Sequence, residues 1–411
     1  SLDGHYGVTP APHIVVLGGG LAGLAFSVAI ARAGEALSGI SLQVTLLEAQ
    51  AFKSGTPNPL DTRASALNLH SVALLEDWGI WPALAPDCGV IRDIHVSQRG
   101  RFGSTLMQSE DLDVDALGFV AENHDLGRHL LERAQALGVS VRAPVRCTRL
   151  HTEGVCPGVE TEDAEIVDAD LILLASGVTP EWFDALGISI PQRSSNTHAV
   201  VFNAIFPGQQ GGCAFERFTP HGPLAVLPLA SILRQEQRYN VVWSVRENAV
   251  ETLMSLEDEG FCARFQEAFG WRLGAVSAVG KRSQWPLTRS LACEQLRSGF
   301  LLVGNAAHML HPVAGQGLNL SMREADLLAE TLIRAVANGQ PLARASSLRS
   351  YLDQASTEQK FLTNSTDLLA TLFNQRGPLL DGPRNASLAL LDLVPGARAQ
   401  IARLGTGVRH A

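Results

Sequence analysis

The residues Gly18-Gly19-Gly20-Leu21-Ala22-Gly23 narrow the fold more than any others in this chain. A short apolar run rich in β-branched residues, His13-Ile-Val-Val-Leu17, leads straight into them. The alanine-rich stretch LAFSVAIARAG follows, and then Leu42-Gln-Val-Thr-Leu-Leu-Glu48 reads as a second strand with an acidic end. Strand, tight turn, helix, strand and acid in this order form the fingerprint of a βαβ unit that binds a dinucleotide. Gly18 permits the tight turn, Gly20 lets the backbone approach a pyrophosphate, and Gly23 lets helix and strand pack closely. The helix start offers free N–H groups and a positive dipole end to the phosphates. Glu48 follows Gly23 by 25 residues, near the spacing of a carboxylate that binds ribose hydroxyls. These residues alone do not separate NAD from FAD.

A chain of 411 residues has room for this unit and a second domain. Its 46% hydrophobic and 18% charged residues exclude wholesale disorder, and a net charge of −9 disfavours non-specific binding to nucleic acid or anionic lipid. No apolar run is long enough for a transmembrane helix. The opening SLDGHYGVTPAPH reads as a loose tail and not as a signal peptide. Six cysteines are scattered without a CxxC pair, so reduced thiols and a cytoplasmic location are expected, with no disulfide framework and no zinc site.

Two more segments bear on the ligand. Asp61-Thr62-Arg63-Ala64-Ser65-Ala66-Leu67, read alone, is a helix start capped by Asp61 or Ser65 with Arg63 solvated. The helical spacing of LHSVALLEDWGIW behind it favours that reading. Further on, Phe300 to Val303 reads as a buried strand ended by Gly304-Asn305, and Gly315 to Asn319 starts an amphipathic helix. Small residues there let backbone lie flat beneath a planar ring. The helix start then stabilises negative charge on that ring. A reduced flavin carries such charge near N1 and the C2 carbonyl, whereas a nicotinamide does not.

GGGLAG with Glu48, DTRASAL, and GNAAHMLHPVAGQGLNLSMREA resemble, in order and separation, the motifs of FAD-dependent aromatic hydroxylases. The resemblance runs from His13 to about Ala335. AFERFTPHGPLAVLPL, FCARFQEAFGWRLG and GKRSQWPL narrow it to the ubiquinone-biosynthesis group, nearest the bacterial 2-polyprenyl-6-methoxyphenol hydroxylase type. That type is also similar to this chain in having Asn, not Asp, at position 305. The resemblance implies an α/β fold: a Rossmann-like FAD-binding domain (12–88, 116–190 and 284–340), a β-sheet substrate domain (89–115 and 191–283) and a C-terminal helical segment (341–411). It implies that Gly18, Gly20 and Gly23 hold the pyrophosphate and Glu48 the ribose. By the same resemblance Arg63 is expected near the phosphates or flavin, and Arg128 is a weaker candidate contact of the cofactor. Asn305 would face the ribityl chain. Pro312 would sit against the flavin face, and Gly315, Gln316, Gly317, Leu318 and Asn319 would present backbone to the ring. His311, Pro312 and Gln316 are the candidate catalytic residues. His311 reads either as a packed histidine or as a group hydrogen-bonded to the phenol.

The implied reaction uses FAD, NAD(P)H and O2, passes through a flavin C4a-hydroperoxide, and hydroxylates a polyprenylated phenol para to its hydroxyl. The cofactor carries the hard chemistry, so neither metal nor protein nucleophile is expected. His308 and His311 lack an acidic cluster that would complete a metal site. Peripheral contact with the inner face of the membrane, through substrate or a ubiquinone-biosynthesis complex, is a further expectation, with no nucleic-acid partner. Phe215, Phe218 and Trp243 read first as core and second as pocket residues.

One motif departs from the pattern. After the strand Asp170 to Ala175, Ser176, Pro180 and Phe183 replace the family's Asp, Ser and Arg, and Gly177 alone is kept. This reads as a permissive loop or as weakened use of reduced nicotinamide. A hydroxylase of another aromatic substrate and a flavin-binding assembly subunit with weak catalysis stay open. A reductase with two dinucleotide domains would need a second complete GxGxxG, and none is present.

Overall fold

A computed structural model describes residues 10–36, 40–100, 104–208, 211–231, 235–309 and 316–360. The first strand, β1 (His13–Leu17), is buried on both faces, as near-continuous Ile, Val and Leu requires in a parallel sheet. Helix α1 (Leu21–Ala36) carries the chain over to β2 (Gln43–Leu47), which pairs with β1 in parallel. On the other side of β1 lies Leu171–Leu174, also parallel, followed by Phe300–Leu302. Leu296–Arg297 and Ser140–Arg142 form the two edges of this six-stranded sheet. Chain order therefore reverses at β1. The crevice beyond its carboxyl end, where Gly18 stands, is the switch point at which open α/β sheets bind ligands.

The second large sheet has nine strands, mostly antiparallel. Its centre is formed by Gln192–Pro207, Glu236–Arg246, Gly222–Pro228 and Cys213–Thr219, flanked by Asp93–Gln98 on one side and Ser283–Leu291 on the other. The β-type patterning of HAVVFNAIF, LAVLPL and YNVVWSVR is thus realised as strands. Helices Glu247–Ser255 and Asp258–Phe269 cover one face. Phe202, Phe206, Phe215, Tyr239 and Trp243 pack there against Phe261, Phe265 and Phe269. Phe215 and Trp243 are therefore core, while Phe218 points to the opposite face. That face looks toward a small sheet made of β3 (Ala64–Asn68), Gly118–Glu122 and Gly89–Ile91.

The helix start expected within DTRASAL is a strand instead. Residues Ala64 to Asn68 pair with Gly118–Glu122, and helix α2 (Leu69–Asp77) begins only after them. Its cap is Asn68, whose side chain accepts from Ser71 N at 2.8 Å. Strand Ser283–Leu291 joins the large sheet through Gln192–Pro207, so sheet membership and chain segments interleave at that point. Of the C-terminal helical segment, residues 349–360 are helical and those from 361 onward lie outside the described residues. No helix among the described residues is long and apolar enough to cross a membrane.

Candidate active site

The turn after β1 is closed tightly. Gly18 has φ +111°, and a Cβ there would lie 2.7 Å from Ser176 N. A Cβ on Gly23 would come within 1.9 Å of Gly18 O, so α1 rests directly on the turn. Gly20 is different: an added Cβ meets nothing within 4 Å. The surface at Gly20 is open backbone, which a pyrophosphate needs. The first helical hydrogen bond runs from Leu24 N to Gly20 O, which leaves the N–H groups of Leu21, Ala22 and Gly23 without a helical acceptor. Glu48 stands beside this turn, accepting from Gly19 N at 2.6 Å and from Gln50 N at 2.9 Å. Each carboxylate oxygen keeps acceptor capacity for a hydroxyl. Glycines, helix start and acid thus fit the phosphates and ribose of a dinucleotide.

The late motif comes to the same crevice. Gly304 has φ +60°, and a Cβ on it would be 2.9 Å from Ala22 Cβ, so the strand end packs on the start of α1. Asn305 follows with its side chain exposed. Helix Gln316–Ala337 then begins, with open space where a Gly317 Cβ would be and with Leu318 packed on the core of the parallel sheet. Asn319 is committed elsewhere. Its buried side chain accepts from Asn68 N and Ser71 Oγ and donates to Ala66 O. It ties the helix to β3 and α2, so only its backbone is left to present to a ligand. His311, Pro312 and Gly315 lie outside the described residues.

Two buried polar clusters brace these segments, and neither was foreseen in sequence. His308 and Glu324, both almost fully buried, meet at 2.9 Å. Gln359 donates to the other oxygen of Glu324 at 2.7 Å and also hydrogen-bonds Gln295. A cavity of about 640 Å³ opens beside this cluster, lined by Gln295, Met309, Leu352 and Gln359 and, among the described residues, by none of the expected cofactor contacts. In the second cluster Arg238 pairs with Glu122 through two hydrogen bonds, 2.7 and 2.9 Å, in a buried setting. Thr62 donates to Glu122 at 2.5 Å, and Arg238 and Asn203 both donate to Pro59 O. This latch fastens the Pro59–Thr62 loop to the large sheet. Burial pushes the Glu122 carboxyl up, but hydrogen bonds from Arg238 and Thr62 outweigh it and hold the group below the usual carboxylate range.

Arg63, next in sequence, lies exposed over the Trp285 ring at 5.0 Å. Arg128 sits on the surface of helix Asn123–Ala136 between Asp125 and Glu132, at 3.8 and 3.5 Å. In the departing motif, Gly177 takes φ +81° and leads to helix Pro180–Leu186 with proline in its first turn. Ser176 is exposed, while Phe183 is buried among Val15, Leu17 and Leu186. That side chain fills core, which is a role the family's arginine could not take.

Comparison with known proteins gives a consistent result. The family described as FAD binding domain matches residues 12–364. The chain is 30% identical over 362 residues to ubiquinone hydroxylase UbiL of Rhodospirillum rubrum, covering 88% of this chain and 81% of the relative. It is 27% identical to the 3-demethoxyubiquinol 3-hydroxylase of Escherichia coli, covering 96% and 98%. Among solved structures, Pseudomonas aeruginosa PqsL in complex with 2-aminobenzoylacetate superposes with a TM-score of 0.74 at 17% identity, covering 89% and 98%; this likeness concerns the fold alone.

Proposed function

This chain belongs to the FAD binding domain family, and from that premise we propose that it is an FAD-dependent monooxygenase that hydroxylates a polyprenylated phenol in ubiquinone biosynthesis. The observation that carries the reading is the approach of Gly304 to Ala22, which packs the late motif's strand end on the glycine-rich start of α1. The relatives' names supply the pathway.

Bound FAD supplies the capacity to take two electrons from NAD(P)H and to activate O2 for oxygen transfer to an electron-rich ring. The chain's own residues bind and orient. The N–H groups of Leu21, Ala22 and Gly23 hold the phosphates, and Glu48 accepts from ribose hydroxyls. Asn305 presents an amide that both donates to and accepts from the ribityl hydroxyls, where a carboxylate would only accept. The start of helix Gln316–Ala337 would present its positive dipole end to a bound flavin ring. Packing of the large sheet against the dinucleotide domain, latched by Arg238 and Glu122, would shield a bound flavin and substrate from water. In this reading the protein works from the cytoplasm and takes its greasy substrate by peripheral contact with membrane or a biosynthetic complex.

The substrate of this reading is 2-polyprenyl-6-methoxyphenol, hydroxylated para to its hydroxyl, as Asn305 and the resemblance of the AFERFTPHGPLAVLPL segment suggest. A second reading, hydroxylation at another ring position, is favoured by the E. coli relative, whose name specifies the 3-position of 3-demethoxyubiquinol. Deleting the protein from its host and identifying the quinone precursors by mass spectrometry separates them. Accumulated 2-polyprenylphenol or its 6-methoxy derivative supports the first, and accumulated 3-demethoxyubiquinol the second. An unchanged precursor profile sinks both. Substrate-stimulated oxidation of NAD(P)H by the purified holoprotein distinguishes either from a flavin-binding assembly subunit.

A further inference from the structure

The face of the large sheet that looks toward the dinucleotide domain carries one misfit. Along strand Cys213–Thr219, Ala214, Glu216 and Phe218 share that face, and Ala214 and Phe218 belong to its apolar cluster. Glu216 is 6% exposed, and its Oε1 has no hydrogen-bond partner among the described residues. Burial alone pushes its carboxyl up to about 7, with no cationic side chain offsetting it. A buried carboxyl left unpaired is costly, and an apolar residue of similar volume would pack there without that cost. A hydrogen-bond donor on a bound ligand would offset that cost.

The register shows where that partner would lie. Glu216 stands opposite Val96 on one side and Ala225 on the other; the row continues through Val242 to Val201. Two residues to one side runs the row of Leu227, Asn240 and Asn203, where Asn203 is fastened to Pro59 and Thr62. On the other side run Ser244, Ala199 and Trp285, with Arg63 over the indole. The segment Thr62–Arg63 therefore bridges the Glu216 row from the side of the dinucleotide domain. Beneath that bridge Val201 and Val242 are only half-buried, although Val96 and Ala225 are closed. An apolar floor with room above it and one polar group at its end suits an aromatic ring bearing a single hydroxyl.

We propose that Glu216 is a specificity-determining residue whose carboxylate accepts a hydrogen bond from the ring hydroxyl of the substrate, holding the ring over Val242 and Val201. The inference rests on the hydroxylase reading above. The hydrogen bond also raises electron density in the ring, which favours attack by an electrophilic oxygen.

The test compares two ligands of the FAD-loaded protein: a short-tailed 2-prenylphenol and its O-methyl ether. Binding is read from the perturbation of flavin absorbance, without turnover. The wild type prefers the phenol. Glu216→Leu reduces that preference by about 10- to 100-fold, as loss of a hydrogen bond to a charged group does, while affinity for the ether stays within about twofold. Glu216→Ala gives the same result should leucine overpack the site. Glu216→Gln, which keeps the shape and a carbonyl acceptor, retains most of the preference. A preference unchanged in Glu216→Leu and Glu216→Ala overturns the proposal, as does an equal loss for both ligands, which marks a structural role. Collapse of the preference in His311→Ala alone assigns the hydroxyl to His311 and overturns it as well. If the wild type binds neither ligand, the hydroxylase reading fails and this inference falls with it.

Discussion

Replacing Gly20 and Gly23 separately by alanine divides ligand binding from folding at the glycine-rich turn. At Gly20 a methyl group meets no protein atom within 4 Å, and Gly20 is not among the residues with positive φ. Its carbonyl accepts the first helical bond, which makes it the N-cap of α1. Alanine at an N-cap costs about 0.5–1 kcal/mol, so Gly20→Ala folds. The same methyl stands in the open space a pyrophosphate would occupy. FAD affinity should fall by about 10- to 100-fold, or roughly 1.4–2.8 kcal/mol. At Gly23 the methyl carbon would lie 1.9 Å from Gly18 O, and Gly18 cannot retreat because Ser176 N stands behind it. Relief means lifting α1 off β1, an overpacking cost of about 3 kcal/mol or more. Urea unfolding of the apoprotein and FAD titration by fluorescence quenching measure the two effects. Wild-type FAD affinity in Gly20→Ala, or wild-type stability in Gly23→Ala, would refute the reasoning.

Two further outcomes follow from buried groups and one from the departing motif. Arg238→Ala strands the Glu122 carboxylate in the interior and should destabilise the protein by about 3–5 kcal/mol in urea; because the folded-state pKa of Glu122 is depressed, the latch's stability is present above the unfolded carboxylate pKa and is lost as pH falls through the folded value, so the variant's deficit should shrink in acid. Glu216 has the opposite sign: its folded pKa of about 7 lies above the unfolded value, so stability is full below the unfolded carboxylate pKa and is lost as pH rises to and through 7, and Glu216→Gln should gain about 3 kcal/mol over wild type at pH 8 but almost nothing at pH 4. The Ser176-to-Phe183 departure leads to the expectation that NADPH reduces the bound flavin slowly; stopped-flow reduction as fast as in related hydroxylases defeats it.

How much of this was legible in sequence depends on the range of each constraint. Gly18 and Gly23 are five positions apart, and their contact is a local property of a strand–turn–helix, so the pattern revealed it. DTRASAL misled because its strand pairing lies some 55 positions away at Gly118–Glu122, whereas the helical spacing of the next segment is immediate; the cap proved to be Asn68, after the motif and not within it. The Glu122–Arg238 pair spans 116 positions, and no spacing rule reaches that far. His308 and Glu324 are 16 positions apart, one on a strand and one on a helix, and no local spacing rule joins such a pair. Glu216 is the instructive intermediate case. Strand alternation already put it on one face with Ala214 and Phe218, so a carboxylate in an apolar row was visible. What the sequence lacked was the knowledge that this face is covered, since Phe215 on the other face is buried too. With both faces closed, alternation no longer marks the solvent side, and a charged residue in such a strand is better read as a site than as a surface.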